Sequence, residues 1–344
     1  LMWIPILALS LFFIKDIFKA YLPVILIIFY SIYAILGSIG GPAWFLLLGE
    51  IVPENIRGKY FGRRNKICGT VALVSTLAAA FVLDYAKTGG YLLLIFSALF
   101  FIASITRIIA AYYFTKHYYP EFKPKEGYYF TFFQFIKKAP FNNFGRFTIY
   151  ISLINLTVQI AGPFFTVYML KDLHFSYLTF TMINASASTF SLITMSLWGK
   201  VSDKYGNREM LKIGSIIIPF VQFLWLFSSS PIYLILVPQL LSGVGWAAFN
   251  LAAGNFIYDI VTPQRRGICV AYYSVLNGIG IFAGAMIGGL LANYLTIPFM
   301  NKLLFIFVIS GVLRLALVMI MIPKIKEVRT VETPKSNIFM YFTR

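Results

Sequence analysis

The chain of 344 residues is 59% hydrophobic and only 12% charged, with a formal net charge of +17. Roughly a quarter of the residues of a soluble domain are charged, so composition argues against one globular core. The apolar residues gather in runs of about twenty, the length that crosses the ~30 Å hydrocarbon layer as a helix. The short alternating segments of a barrel are lacking. What remains is an all-α polytopic membrane protein, whose backbone polar groups bond within each span.

Ten spans are predicted in chain order: 1–14, 21–49, 67–84, 91–113, 147–170, 177–198, 210–229, 232–256, 268–294 and 300–322. The first is short, begins at Leu1 and lacks a basic leading region, so it does not read as a signal peptide. The chain is expected to start inside a longer protein. Between the fourth and fifth spans lies a polar, phenylalanine-rich stretch, 114–146, read as an amphipathic segment in the plane of the membrane. After the last span the tail, 323–344, is expected to be disordered.

The basic residues are one-sided. Segments 50–66, 114–146, 198–214 and 258–271, with the tail, hold Arg57, Lys59, Arg63, Arg64, Lys138, Arg146, Lys204, Arg208, Arg265, Arg266 and others, while the opposite loops hold only Lys15, Lys19, Lys87, Lys171 and Lys302. Such asymmetry predicts that the linker and C-terminus are cytoplasmic. The charge is thus a topology signal and a contact to anionic lipid of the bilayer. No aromatic–basic nucleic-acid module is visible. Cys68 and Cys269 read as free structural thiols, with no disulfide framework. His117 and His174 fall in loops on opposite sides and cannot share a metal site.

An internal repeat is legible. "GEIVPENIRGKYFG" (49–62) and "YDIVTPQRRGICVA" (258–271) each place an acid seven residues before an Arg-Gly pair, Glu50 before Arg57-Gly58 and Asp259 before Arg266-Gly267. Arg57 and Arg266 stand 209 residues apart; Arg107 and Arg314, each late in its span, stand 207 apart. Two features at nearly one offset indicate a duplicated bundle. The second copy, 147–322, has six spans and the first, 1–113, only four. Two helices and one polar loop are therefore expected upstream of Leu1.

The polar island "WGKVSDKYGNREMLKIG" (198–214) spaces Gly199, Asp203, Gly206 and Arg208 as Gly-x-x-x-Asp-x-x-Gly-x-Arg. This resembles the loop signature of the major facilitator superfamily, which joins the second and third helices of each six-helix half. The Glu50…Arg57-Gly58 and Asp259…Arg266-Gly267 elements resemble the motif after the fourth helix of each half. The resemblance covers the whole chain as helices three to twelve of twelve. "RGKYFGRRN" looks like a poorly characterised branch, which names no substrate. The resemblance implies a two-bundle fold: a half-bundle over 1–113, the linker 114–146, a six-helix bundle over 147–322 and the tail 323–344. It also implies that the island latches the halves in the outward-open state. Arg208 is expected to pair with Asp259, and Asp203 to face the N-terminal end of span 67–84. Gly199 and Gly206 would permit a tight turn and close helix approach.

The resemblance further implies a central cavity lined by the first and fourth helices of each half. Candidate lining residues are Tyr30, Tyr33 and Trp44 on span 21–49, Asn155 and Gln159 on 147–170, and Gln239, Trp246 and Asn250 on 232–256. Polar side chains inside a bilayer face protein or water, so each of these could equally be interhelical glue. Arg107 and Arg314 lie one to two turns from the cytoplasmic face. They either snorkel to that face or contact an anionic substrate such as a carboxylate or phosphate.

Gly280, Gly284 and Gly288 read as a close helix-packing seam. They are similar to a glycine-rich antiporter signature, but that signature sits on the fifth helix with a proline. The fifth-helix equivalent, 67–84, lacks both, so drug antiport is not assigned.

The reading is a secondary transporter of a small solute, monomeric, in the plasma membrane, coupled to a proton or sodium ion and needing no cofactor. No phosphate-binding glycine–lysine loop is present. The alternatives are an integral-membrane enzyme on lipid-linked substrates and a transporter-like sensor or scaffold.

Overall fold

The computed structural model describes residues 3–14, 21–51, 54–118 and 130–328, and their regular structure is entirely helical. The helices are α1 (Trp3–Ile14), α2 (Leu22–Ile51), α3 (Glu54–Thr88), α4 (Leu92–Phe114), α5 (Phe132–Lys138), α6 (Asn143–Val167), α7 (Tyr177–Tyr205), α8 (Asn207–Leu224), α9 (Pro231–Leu234), α10 (Leu240–Ile260), α11 (Pro263–Tyr294) and α12 (Lys302–Met321). A wide π turn, Tyr168–Asp172, extends α6, and a second, Ile235–Gln239, joins α9 to α10.

Among the described residues, six stretches are long and apolar enough to cross a bilayer: Ile67–Thr88, Leu92–Phe114, Asn143–Asp172, Pro231–Ile260, Arg265–Tyr294 and Lys302–Lys324. The 12-residue α1 is too short, and α7 and α8 carry the polar island between them. Three helices overrun their expected spans by five residues or more. α3 starts at Glu54 rather than 67, α7 continues to Tyr205 rather than 198, and α11 starts at Pro263 rather than 268. The physical reason is that helix propensity does not stop where hydropathy does. Lys and Arg are good helix formers, and at 1.5 Å per residue a helix longer than about twenty residues projects beyond the hydrocarbon.

The chain folds as two compact units, Leu1–Lys125 and Glu126–Arg344. In the first, α4 packs on α1 and α3, and α1 also touches α2. In the second, α6 lies between α11 and α12, α8 between α12 and α10, and α10 against α7. The repeat reappears in the helices. Moved by the spacing of Arg57 and Arg266, α2 falls on the stretch Pro231–Ile260 and the start of α3 falls on Pro263. The α1–α4 contact of the first unit likewise corresponds to the α8–α12 contact of the second.

Glycine sets the closest approaches in the second unit. A Cβ on Gly280, Gly284 or Gly288 would run into the backbone carbonyls of Ser152, Leu156 and Ile160, successive turns of α6. The expected seam is therefore the α6–α11 interface. Gly243 does the same against Ala187 of α7, and Gly214 against Gly245 and Phe249 of α10. Backbones that touch gain dispersion contacts over many atoms, which is how helices associate where lipid cancels the hydrophobic drive.

A proline explains the second wide turn. Pro238 lies inside Ile235–Gln239. It lacks an N–H and crowds the carbonyl a turn earlier, and a locally widened helix relieves that clash.

In the linker, α5 is closed by a capping box in which the Thr131 side chain accepts from Gln134 N and Gln134 from Thr131 N. It buries Phe135 against Phe144 and Tyr272, while Phe133 and Phe141 stay exposed. Residues 325–328 depart from the expected disordered tail. Asn143 exchanges two hydrogen bonds with the backbone of Lys326 (2.7 and 2.9 Å), and Ile325 is buried. A short strap is held here because the helix start at α6 presents an amide side chain that satisfies it on both sides.

Candidate functional site

The island is nearly all helix. Only Gly206 interrupts it, with φ 86° and ψ 166°, a conformation open in practice only to glycine. Its N–H donates to Ser202 O, closing α7, and α8 begins at the next residue. The first backbone donors of α8 then point at an acid from a distant part of the chain. Arg208 N donates to Glu327 Oε2 at 2.7 Å. A carboxylate is favoured there by the positive end of the helix.

The Arg208 side chain does not reach Asp259, contrary to expectation. Its Nε donates to Ile325 O at 2.7 Å and its Nη1 pairs with Glu209 at 2.7 Å. Lys212 also reaches Glu209, at 3.3 Å. Asp259 instead accepts from Asn207 Nδ2 at 2.6 Å, and buried Ser202 donates to Asn207 Oδ1 at 2.6 Å. The arginine is drawn away because the 325–328 strap lies beside it, which spacing along the sequence does not reveal. Gly199 makes no close approach: no described atom lies within 4 Å of where its Cβ would sit. Asp203 lies in α7, Glu50 in α2, and Arg57 and Gly58 in α3; their side-chain surroundings lie outside the described residues. Arg266 stacks 4.7 Å from the Tyr258 ring and donates from Nη2 to Tyr258 O at 3.3 Å, in the first turn of α11 that also holds Gly267.

Alanine at Asp259 should therefore lower stability by about 1.5 kcal/mol, because Asn207 is buried and would lose a charged acceptor. Combined with Arg208→Ala, the two losses should add within about 0.5 kcal/mol. A double-mutant cycle on the melting curves reads this. A coupling well above that value would mean that the arginine and the aspartate do pair.

The second constellation lies within the six-helix unit. A cavity of about 350 Å³ is lined by Val158, Gly162, Phe165 and Thr166 of α6, Asn184 and Ala187 of α7, and Ile218, Val221, Gln222 and Trp225 around the end of α8. Gln239, Ser242 and Trp246 close it from the α10 side, and Arg314 from α12. Its size is that of small-molecule pockets, which run ~300–1,000 Å³. Gln239 reaches it from the end of the wide turn that Pro238 imposes.

Of the expected cavity residues, Gln239 and Trp246 come together here, beside Arg314, which was read apart from them as a charge within its span. Asn155 is engaged elsewhere, donating from Nδ2 to Asn277 Oδ1 of α11 at 2.8 Å. Gln159 folds its amide over Gly162 on its own helix, and Asn250 is exposed on α10. In the first unit, Tyr30 and Tyr33 have ring centroids 6.0 Å apart, and Arg107 Nη2 donates to Tyr33 Oη at 3.2 Å. The Arg64 guanidinium sits 4.4 Å from the Trp44 ring.

Arg314 does not snorkel. It is 2% exposed, seven residues short of the end of α12, or ~10 Å along the axis. With its amide oxygen turned inward, Gln222 accepts from Nη1 and from Nη2, the latter at 2.9 Å. Nη2 also reaches Val158 O at 3.5 Å, and Nε is buried without a partner. Sequence reasoning missed Gln222, Asn184 and Trp225. Gln222 carried a signal, a lone amide in the apolar run "IIIPFVQFLWLF" (216–227).

Helices of this length and apolarity, gathered in a six-helix unit around a polar cavity, define a helical integral membrane protein. Residues 147–340 match the family model described as Major Facilitator Superfamily, and the chain belongs to that superfamily. It is similar to the "Multi-drug resistance efflux pump PmrA homolog" of Lactococcus lactis subsp. lactis (strain IL1403), 24% identical over 148 residues, 42% of this chain and 36% of that protein. It is also similar to "Multidrug resistance protein 1" of Bacillus subtilis (strain 168), 25% identical over 208 residues, 57% of this chain and 52% of that protein. A third relative is the "Tetracycline resistance protein, class B" of Escherichia coli, 33% identical over 91 residues, 26% of this chain and 22% of that protein. The chain spans about half or less of the length of these relatives.

Proposed function

We propose that the protein is a secondary active transporter that moves a small organic solute by alternating access. The observation that carries this reading is the superfamily match over the same six-helix unit that encloses the polar, aromatic-lined cavity. Gln239, Asn184, Ser242 and Thr166 supply orienting hydrogen bonds, while Trp225, Trp246 and Phe165 supply flat apolar walls. The relatives named for multidrug and tetracycline resistance favour export of an organic molecule. Coupling to a proton or sodium ion, a monomeric state and residence in the plasma membrane complete the proposal. The half-bundle and linker boundaries rest on the internal repeat, and a cytoplasmic linker and C-terminus on the basic asymmetry of the loops. The Gly199–Arg208 island acts in this reading as the latch between states.

The test is gradient-driven flux in proteoliposomes, with a panel of sugars, organic acids, amino acids and amphipathic cations. One class should accumulate above empty vesicles under an imposed proton or sodium gradient. Gln239→Ala should weaken its apparent affinity about two- to tenfold, the loss of one hydrogen bond, without lowering the melting temperature in proportion. No flux of any class would favour the sensor or scaffold reading. Conversion of a lipid-linked substrate would favour the enzyme.

A further inference from the structure

We infer that the cavity of the six-helix unit is an anion site, in which Arg314 receives the carboxylate of a small organic acid with a flat apolar body. The inference rests on the transporter reading for its purpose and on the geometry for its chemistry.

A guanidinium carries five N–H donors and cannot give up its charge. Arg314 is 2% exposed and sits deep in its span. A charge placed there costs several kcal/mol unless it is paired and hydrogen-bonded. Yet the groups that meet it are neutral: the Gln222 amide oxygen and the Val158 carbonyl. Its Nε–H is buried and unmatched. None of the described residues lining the cavity is acidic, and among the described residues no ion pair includes Arg314. The missing element is a negative charge, and the cavity leaves room for a ligand to bring it. The rest of the lining suits an aromatic or similarly flat acid. Trp225, Trp246 and Phe165 line the cavity with aromatic rings, and Asn184, Gln239, Ser242 and Thr166 with polar side chains. Arginine is the side chain that matches a carboxylate with two parallel hydrogen bonds. Gln222 holds the fork in place without neutralising it.

Three probes of similar size and different charge test this: benzoate, benzamide and benzylamine, titrated against the purified full chain by tryptophan fluorescence and thermal shift. Benzoate is expected to give a saturable response at least about tenfold tighter than benzamide, and benzylamine none. Gln222→Glu builds a carboxylate into the site, so it should abolish the benzoate response while leaving the melting temperature equal or higher. Arg314→Lys keeps the charge but loses the fork, and should retain only weak benzoate binding. Equal affinity for benzoate and benzamide, no response to any probe, or benzoate binding that survives Gln222→Glu would each overturn the site and make Arg314 a structural cation. Proteoliposome counterflow separates this from the underlying reading. Anion-selective binding without flux of any solute class sustains the site and overturns transport. Flux of other solutes without anion selectivity does the reverse.

Discussion

Alanine at Gly284 is expected to destabilise the purified protein by about 1–3 kcal/mol, and leucine there to abolish the folded six-helix unit. The added Cβ would meet the carbonyl, carbonyl carbon and Cα of Leu156, all backbone atoms that no rotamer change can move. α6 and α11 must then separate along the whole seam, since Gly280 and Gly288 face Ser152 and Ile160 in the same register. Separation would also stretch the Asn155–Asn277 and Ser152–Leu276 hydrogen bonds that cross the same interface. The built-in control is Gly289, beside which no described atom lies within 4 Å. Alanine is a better helix former than glycine by ~0.5–1 kcal/mol, so Gly289→Ala should be neutral or stabilising. Melting curves in detergent read both. Equal behaviour of the two variants would mean that the seam is not where α6 and α11 meet.

Gly206→Ala is the second large effect, about 1–3 kcal/mol of lost stability. Two causes act together. At φ 86° and ψ 166° an L side chain is strained whatever space surrounds it. The space is also occupied, by the Glu327 carboxylate that accepts from Arg208 N. The substitution therefore strains the α7–α8 junction and displaces the acid that caps α8. Gly199→Ala, seven residues earlier in the same motif, should cost nothing and even gain some helix propensity, because its surroundings are open. The outcome that would sink this reading is a Gly206→Ala protein as stable as the parent beside a destabilised Gly199→Ala protein. The two glycines of the motif would then have the opposite roles.

Much of the architecture was legible in the residues themselves. The ten apolar runs all fall on helices, although the run 232–256 is divided by a wide turn and α1 is too short to span. The glycine seam was legible because glycines four residues apart leave one side of a helix bare. Helix ends were less legible. Hydropathy stops at the lipid boundary, whereas the backbone hydrogen bonds of α3, α7 and α11 continue through charged turns. The tail strap was missed because four residues, 325–328, show no periodicity, and their order comes from Asn143 and Arg208 on other helices.

The candidate site was only half legible. Gln239, Trp246 and Arg314 were singled out as polar or aromatic groups inside apolar helices, and that signal is local. Their convergence is not local, and neither is the departure of Asn155 to Asn277 or of Asp259 to Asn207. By itself the sequence determined that this is a helical membrane protein, where its helices run, that its pattern repeats, and which residue types interrupt the apolar spans. Only the tertiary structure decided that Gln222 and Arg314, Gly284 and Leu156, and Glu327 and Arg208 are neighbours. The physical reason is that hydropathy and periodicity describe one helix at a time. Which helices pack side by side follows from the shape match of their small-residue faces, and that pairing alone turns a lone buried charge into a site.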